Sequence, residues 1–546
     1  MAPRQTSLST IHWNKQPSSK GGLAFHSTRL FAATDAGSTT TIVSSSLSAS
    51  ADSDFVGYIV ECVKATNSQN VGLLRRIKAC DFASDTLTID PLPAATADED
   101  QFHLYIPDHV LVIAQSAASS TNGYVAARDR DEADDYWNGS TEEGGSYLVV
   151  VNADNASATN HILIDDFTNS TQRLQLATDL SGAVAIGDYF ELWKHPEVQG
   201  GSLLEIGMDQ VERKPLSGRY GKQGSVNSVR NGSGTLEFAF RGPGRGREGL
   251  HCDLHDMFSC VMDHSDSGGA STVSGSPTTT NIPYSAGNHS VGDLCFSSEG
   301  YAGIITADSG SAYTVSPALG AAPVAGTSLF AGTTYTPSQG INAAQCFQIW
   351  RGKDVLDYLW GCVPNISINA AKGEFLKISG EYSVSDWMRL GNSGTAIERA
   401  FYPKFPSTDQ IVCGAGRIVI DGSSFNLRSA TFAQGLEIAP RNNLNSPNFT
   451  DGFEVVNDSP NGTIEVYYDS TERKAIEDFL NGKEVEMILQ FGNAPGDSGV
   501  FVLWCNRIRY TGATIGDDAG LVTLSLPFEV VNNLSSSLPR YAFGIF

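Results

Sequence analysis

Along much of the chain apolar and polar residues alternate with a period of two, as in strands that bury one face. Thr235-Leu-Glu-Phe-Ala-Phe and Thr463-Ile-Glu-Val-Tyr-Tyr show this most cleanly, and both lie in stretches with a common order of features. One stretch opens at Ser202-Leu-Leu-Glu-Ile-Gly, crosses a polar Gly- and Arg-rich segment (213–234) and arrives at Thr235. The other opens at Gly416-Arg-Ile-Val-Ile-Asp-Gly, crosses a long Asn- and Pro-rich segment (439–462) and arrives at Thr463. Beyond each strand the period changes to that of a helix. Leu250, Leu254, Met257, Phe258 and Val261 form the first apolar stripe. Ala475, Ile476, Phe479 and Leu480 form the second, between a capping box at Asp469-Ser-Thr-Glu472 and a stop at Asn481-Gly482. A strand pair with a shared Leu-Trp follows each helix, from Leu359-Trp to Phe375-Leu-Lys-Ile and from Leu503-Trp to Leu521-Val-Thr-Leu. This agreement predicts an internal duplication.

A second kind of repeat is smaller. Thr86-Leu-Thr-Ile leads to Asp100-Gln-Phe-His-Leu, Leu174-Gln-Leu to Gly187-Asp-Tyr-Phe-Glu-Leu-Trp, and Tyr313-Thr-Val to Gly326-Thr-Ser-Leu-Phe. Each reads as a strand, a turn and an edge-like strand of a small β-barrel module. The predicted organisation is an N-terminal arm (1–35), accessory β modules at 36–108 and 109–195, and two duplicated domains at 196–390 and 391–546. A third module (271–338) interrupts the first duplicated domain in an exposed loop with close ends. The expected fold class is mainly β, two tandem sandwich domains each flanked by one helix, plus small barrel-like accessory modules.

A chain of 546 residues, rich in Gly, Ser, Thr and Ala, suits several such domains. No apolar run approaches the length of a membrane-spanning helix, about eighteen residues. The polar start, Met1-Ala-Pro-Arg-Gln-Thr-Ser, argues against a cleaved signal peptide. The nine cysteines are scattered without a CxxC pair and read as reduced core thiols, so the Asn-x-Ser/Thr matches at Asn138 and Asn231 are expected to carry no glycan. A net charge of −24 excludes general affinity for nucleic acid, which needs a basic footprint, but suits a wall past which a duplex slides.

Little of the sequence suggests chemistry. Arg241-Gly-Pro-Gly-Arg-Gly-Arg-Glu stands between strand and helix, where phosphate loops stand, yet lacks the GxGxxG spacing and any Gly-Lys-Ser/Thr. His251, Cys252, His255 and Cys260 are expected on one helix, with Cys252 turned away from the histidines and no further ligands in a zinc spacing. The acidic run Asp129 to Asp135 lacks the central Gly and terminal Glu of a calcium loop. No GxSxG elbow or supported triad occurs. The reading is of a non-enzymatic protein without cofactor or metal.

The strand, long polar segment, strand–helix unit and closing Leu-Trp strand pair of 202–390 and 411–531 resemble the tail tube proteins of long-tailed bacteriophages. The resemblance is architectural and covers roughly the C-terminal three fifths. It implies tube-type sandwich domains, six to a ring around a DNA channel, so that three chains with two domains each close a pseudo-hexameric ring. It also implies stacking of rings through the long segments, where Arg213, Lys214, Arg219, Tyr220, Lys222 and Arg230, with Arg441, Asn442 and Asn443, are the candidate contacts. The implied partners are further copies of the chain and other tail proteins (tape measure, terminator, baseplate), with DNA passing unbound and no membrane. The implied location is the virion tail, assembled in the bacterial cytoplasm. A distal-tail or neck ring protein, or a host-surface-binding tail protein, are the other readings.

Overall fold

The structure is a computed structural model that describes residues 9–16, 25–47, 55, 58–71, 73–89, 91–107, 111–113, 124–126, 146–152, 161–168, 173–176, 189–194, 198–199, 203–211, 226–242, 252, 254–267, 269–351, 356–390, 411–413, 417–442, 450–468, 473–492, 499–533 and 536–546. It is mainly β, with two α-helices among the described residues.

In chain order, β1 (Ser9–Gln16) precedes a group formed by β2 (Phe25–Ala32), β3 (Thr41–Val43), β4 (Ile59–Lys64), β5 (Leu74–Asp81), β6 (Thr86–Ile89) and β7 (Gln101–Pro107). A second group comprises β8 (Leu111–Ile113), β9 (Tyr124–Ala126), β10 (Ser146–Asn152), β11 (His161–Thr168), β12 (Arg173–Leu176) and β13 (Tyr189–Lys194). The first repeat begins with β14 (Leu203–Val211), β15 (Val226–Ala239), α1 (His255–Val261) and β16 (Met262–Asp266). A third group follows: β17 (Ser271–Val273), β18 (Asn281–Ala286), β19 (Leu294–Ser297), β20 (Ala302–Asp308), β21 (Ala312–Ser316) and β22 (Ser328–Phe330). The repeat resumes with β23 (Thr333–Pro337), β24 (Ala344–Arg351), β25 (Leu356–Ala371) and β26 (Lys377–Leu390). The second repeat opens with β27 (Arg417–Ile420), β28 (Ser423–Phe425), β29 (Leu427–Ala433), β30 (Leu436–Asn442), β31 (Thr450–Asp458) and β32 (Asn461–Tyr467). It is completed by α2 (Arg473–Leu480), β33 (Glu484–Phe491), β34 (Phe501–Tyr510), β35 (Thr514–Asp518), β36 (Leu521–Val530) and β37 (Tyr541–Ile545).

The three groups of six strands share one pairing order: first, sixth, third, fourth, fifth, second. It runs β2-β7-β4-β5-β6-β3 in the first group. In the second it runs β8-β13-β10-β11-β12-β9. In the third, β17-β22-β19-β20-β21-β18 closes into a barrel. The segments paired by sequence are the fifth and sixth strands of each.

The two repeats also share an order. The first reads β1-β24-β25-β26-β15-β14. The second reads β27-β33-β34-β36-β32-β29. The strands at Thr235 and Thr463 are counterparts, as are those at Leu359 and Leu503. One expected match is corrected: the counterpart of Ser202–Gly207 is β29, not the Gly416 strand. That strand, β27, corresponds to β1, so the expected N-terminal arm 1–35 is divided between sheets, β1 joining the first repeat and β2 the first small group. A local pattern cannot reveal that an outer strand is supplied from some 330 residues upstream of its neighbour β24.

Apolar residues of both repeats form one continuous core. Helix α1 is buried throughout its length, with Phe258 against Phe543 of β37 at 5.8 Å. Its close approach needs Gly380, where an added Cβ would meet Tyr382 and the Met257 sulfur. Of the expected stripe on α1, Leu250 lies outside the described residues. Helix α2 buries only Ala475 and Asp478, and Leu480, expected in the stripe, is 74% exposed, with nothing among the described residues covering its outer side. Lys474 and Lys483 both donate to Asp421, fixing α2 on the β27–β28 turn.

Candidate functional site: a polar face across an eight-strand ribbon

The long β25 and β26 pair along nearly their whole length, from Leu356 opposite Leu390 to Asn369 opposite Lys377. At their far ends they belong to a ribbon that crosses the repeat boundary, because Ser367–Ala371 of β25 pairs with Ser429–Ala433 of β29. The full order is β14-β15-β26-β25-β29-β32-β36-β35, eight strands, each antiparallel to its neighbours. A second seam joins β23 to β37.

Period-two alternation gives this ribbon two unlike faces. One is the core: Leu236, Phe238, Ile366, Ile368, Ile378, Tyr382, Phe432, Ile464, Leu524 and Leu526 are all buried. The other is polar in every strand. Glu237, Ser379, Ser367, Ala433, Asn461 and Glu529 stand directly opposite one another on six successive strands. A neighbouring row holds Lys377, Asn369, Thr431 and Thr463, and another Ser429, Glu465, Ser525 and Thr514. Small hydroxyl and amide side chains alternate with carboxylates of Glu205, Glu237, Glu381, Glu465, Asp518 and Glu529.

The cations on or beside this face are held. Lys377 lies 3.6 Å from Glu237 and 3.5 Å from Glu374. Arg428 pairs with Glu465 and, at 2.9 Å, with Asp518. Arg509 pairs with Glu529, and Lys372 stands over the Tyr467 ring at 5.8 Å. Lys377 and Arg428 are each neutralised by two carboxylates and Arg509 by one, which leaves a weakly acidic face poorly suited to gripping phosphate.

Beyond the ribbon, both repeats extend a two-stranded arm. In the first it is the outer part of β14 and β15; in the second it is the β30–β31 hairpin. The segment 439–462, expected as a long polar segment, is thus largely strand. The arm departs from the ribbon at Gly435, whose φ of +62° and contact with Ser459 oxygen leave no room for a Cβ. Of the expected contact residues, Arg213, Lys214, Arg219, Tyr220, Lys222 and Asn443 lie outside the described residues. Arg230 is on β15, its guanidinium 3.0 Å from the buried Asp386. Burial pushes the Asp386 carboxyl up to about 7, while Arg230 and the Trp387 backbone N–H pull it back. Near the corresponding place in the second repeat the polarity is reversed, Asp458 pairing with Arg540. Arg441 on β30 pairs with Glu454 at 3.3 Å, and Asn442 ends the strand, exposed.

His251, the acidic run 129–135 and most of the Arg241 loop lie outside the described residues. Cys252 precedes α1 instead of joining it, and His255 is buried with its Nδ1 2.8 Å from the Tyr335 hydroxyl. No group of three His, Cys, Asp or Glu among the described residues is placed to hold a metal ion. Burial drives the Cys362 and Cys505 thiols far from ionisation. Among the described residues no helix is long and apolar enough to cross a membrane.

The sequence signal for the polar face was present in Lys377-Ile-Ser-Gly-Glu-Tyr-Ser-Val and Asn365-Ile-Ser-Ile-Asn-Ala, whose polar positions are almost all small or acidic. What it lacked was the register that lines them up. Neither the family models nor the curated proteins compared with the chain give a match.

Proposed function

We propose that the chain is the tail tube subunit of a long-tailed bacteriophage, three copies closing a ring around a DNA channel and rings stacking into a tube. The observation that carries this reading is the eight-strand ribbon, with one face in the core and the other predominantly polar. Strands lie about 4.8 Å apart, so two copies would close a backbone ring about 25 Å across and three about 37 Å, before tilt widens either. With about 5 Å of inward side chain on each side, three copies leave about 27 Å even before tilt, ample room for a duplex. The paired arms, carrying Arg441 and Asn442 in one repeat and the 212–225 segment in the other, are the stacking elements of this reading. Tape-measure, terminator and baseplate proteins would be its further partners.

A distal-tail or neck ring protein would use the same ribbon without stacking. The test is electron microscopy of the concentrated protein. Hollow tubes with three-fold rings are expected; isolated rings would favour the neck or distal-tail reading, and monodisperse monomers would overturn both.

A further inference from the structure

The two repeats of one chain already contain a finished junction, between the end of β25 and β29. Their shared topology says which strands must form the next one. Thr235 pairs with Glu381, and Thr463 with Pro527, so Ser379 and Ser525, each two residues before those partners, are counterparts. Ser379 pairs with Ser367 and Ser525 with Thr514. Thr514–Asp518 of β35 therefore stands where Ser367–Ala371 of β25 stands. On the other side, Thr235 pairs with Leu203 and Thr463 with Thr431, which makes β14 the counterpart of β29.

Ile368 and Ile515 occupy the same place, both turned to the core face, opposite Ile378 and Leu524. Ile368 is 4% exposed beneath β29, where it faces Phe432; Ile515 is 60% exposed, and β35 pairs with β36 alone among the described strands. Val522, beside it, is 47% exposed.

We infer that β35 of one chain pairs antiparallel with β14 of a second copy, in the register that the internal junction sets. Asn369 lies opposite Thr431 and Ser367 opposite Ala433. Carried over, Gly516 lies opposite Leu203 and Thr514 opposite Glu205 of the neighbouring copy. The junction is head-to-tail, so a repeated rotation closes a ring. Ile515 then gains the strand that covers Ile368, and the polar rows continue from Thr514 onto Glu205.

This inference rests on the tube reading for its closed ring, but its test separates the two. A Glu205→Cys/Thr514→Cys double variant of the full chain places two exposed side chains directly opposite, within reach of a disulfide. Mild oxidation should give covalently closed trimers that reductant releases, while either single variant stays monomeric on a denaturing gel. In parallel, Ile515→Lys should lower the yield of rings at least about tenfold, because the lysine would be buried unpaired at the junction. Rings of the unaltered chain with no 205–514 cross-link, or with Ile515→Lys assembling fully, overturn the edge pairing and leave the tube standing. Cross-linked trimers that never stack support the pairing and overturn the tube.

Discussion

Ile368 and Ile515 hold one position in two copies of the same fold, yet one is sealed in the core and the other meets solvent. Helices α1 and α2 differ in the same sense, the first enclosed and the second with Leu480 uncovered. Ile368 is covered by β29 of the second repeat, while α1 is enclosed by β16, β23, β24 and β25 of its own repeat together with Phe543. The second repeat presents the same surfaces with nothing among the described residues beyond them. Sequence decides which side chains face the core side of a strand; exposure depends also on what lies alongside, and here a single chain shows both states.

The sharpest way to break this comparison is to place a charge at each isoleucine. Ile368→Lys should cost about 4 kcal/mol or more and prevent stable folding, because the ammonium has no water and no partner there. Ile515→Lys should change thermal stability by no more than about 0.5 kcal/mol. Equal effects on the unfolding midpoint would mean that Ile515 is covered in the unassembled chain as fully as Ile368.

Excising the third small group while keeping the β16–β23 stem comes next in size. Its barrel packs Leu294, Phe296 and Ile304 on Val419, Ile488, Val502 and Trp504 of the second repeat. Gln490 ties the contact by accepting from the Ala302 N–H and donating to the Gly300 oxygen. The barrel lies outside the ribbon, so rings should still close, but uncovering these side chains should cost about 3 kcal/mol and increase binding of a hydrophobic dye. An unchanged midpoint would show the contact to be idle.

The reversed ion pairs of the two repeats give a smaller, pH-dependent effect. An ordinary carboxyl titrates near 3.8, and Asp386 in the folded protein near 7. Between those values the folded state retains a proton that the unfolded state releases, so this group's stabilisation is fully present below about pH 4 and lost as pH rises through 7. Asp386→Asn should flatten that slope in the unfolding midpoint. A wild-type slope of the opposite sign, removed by the substitution, would mean that Arg230 outweighs burial.

Arg441→Glu should be the mildest. The pair with Glu454 is well exposed, and its loss should alter folding by about 0.5 kcal/mol or less. Shorter tubes with intact rings would place the arm in the stacking contact; unchanged lengths would remove it.

The strand–helix unit and the Leu-Trp pair exposed the duplication from sequence because both repeats keep the alternation that buries one face. The fifth and sixth strands of the small groups were legible for the same reason. Three things were not. The strand β1 is distant in sequence from its partner β24, and no local pattern encodes such a pairing. Leu480 fits the helical period, yet the period says only which side is apolar and nothing of whether a second layer arrives. Arg230 looked like a loop cation because its partner, Asp386, lies more than 150 residues away.

The joining of two repeats in one polypeptide alters how assembly responds to dilution. In the proposed six-repeat ring, three of the six seams would already form as each chain folds, at any concentration. Mass action would govern only the remaining three, so ring formation would vary with roughly the third power of subunit concentration where separate repeats would require the sixth. The finished ring would alternate permanent seams with reversible ones. Strained from within, it would part at β35, releasing whole chains and never a lone repeat.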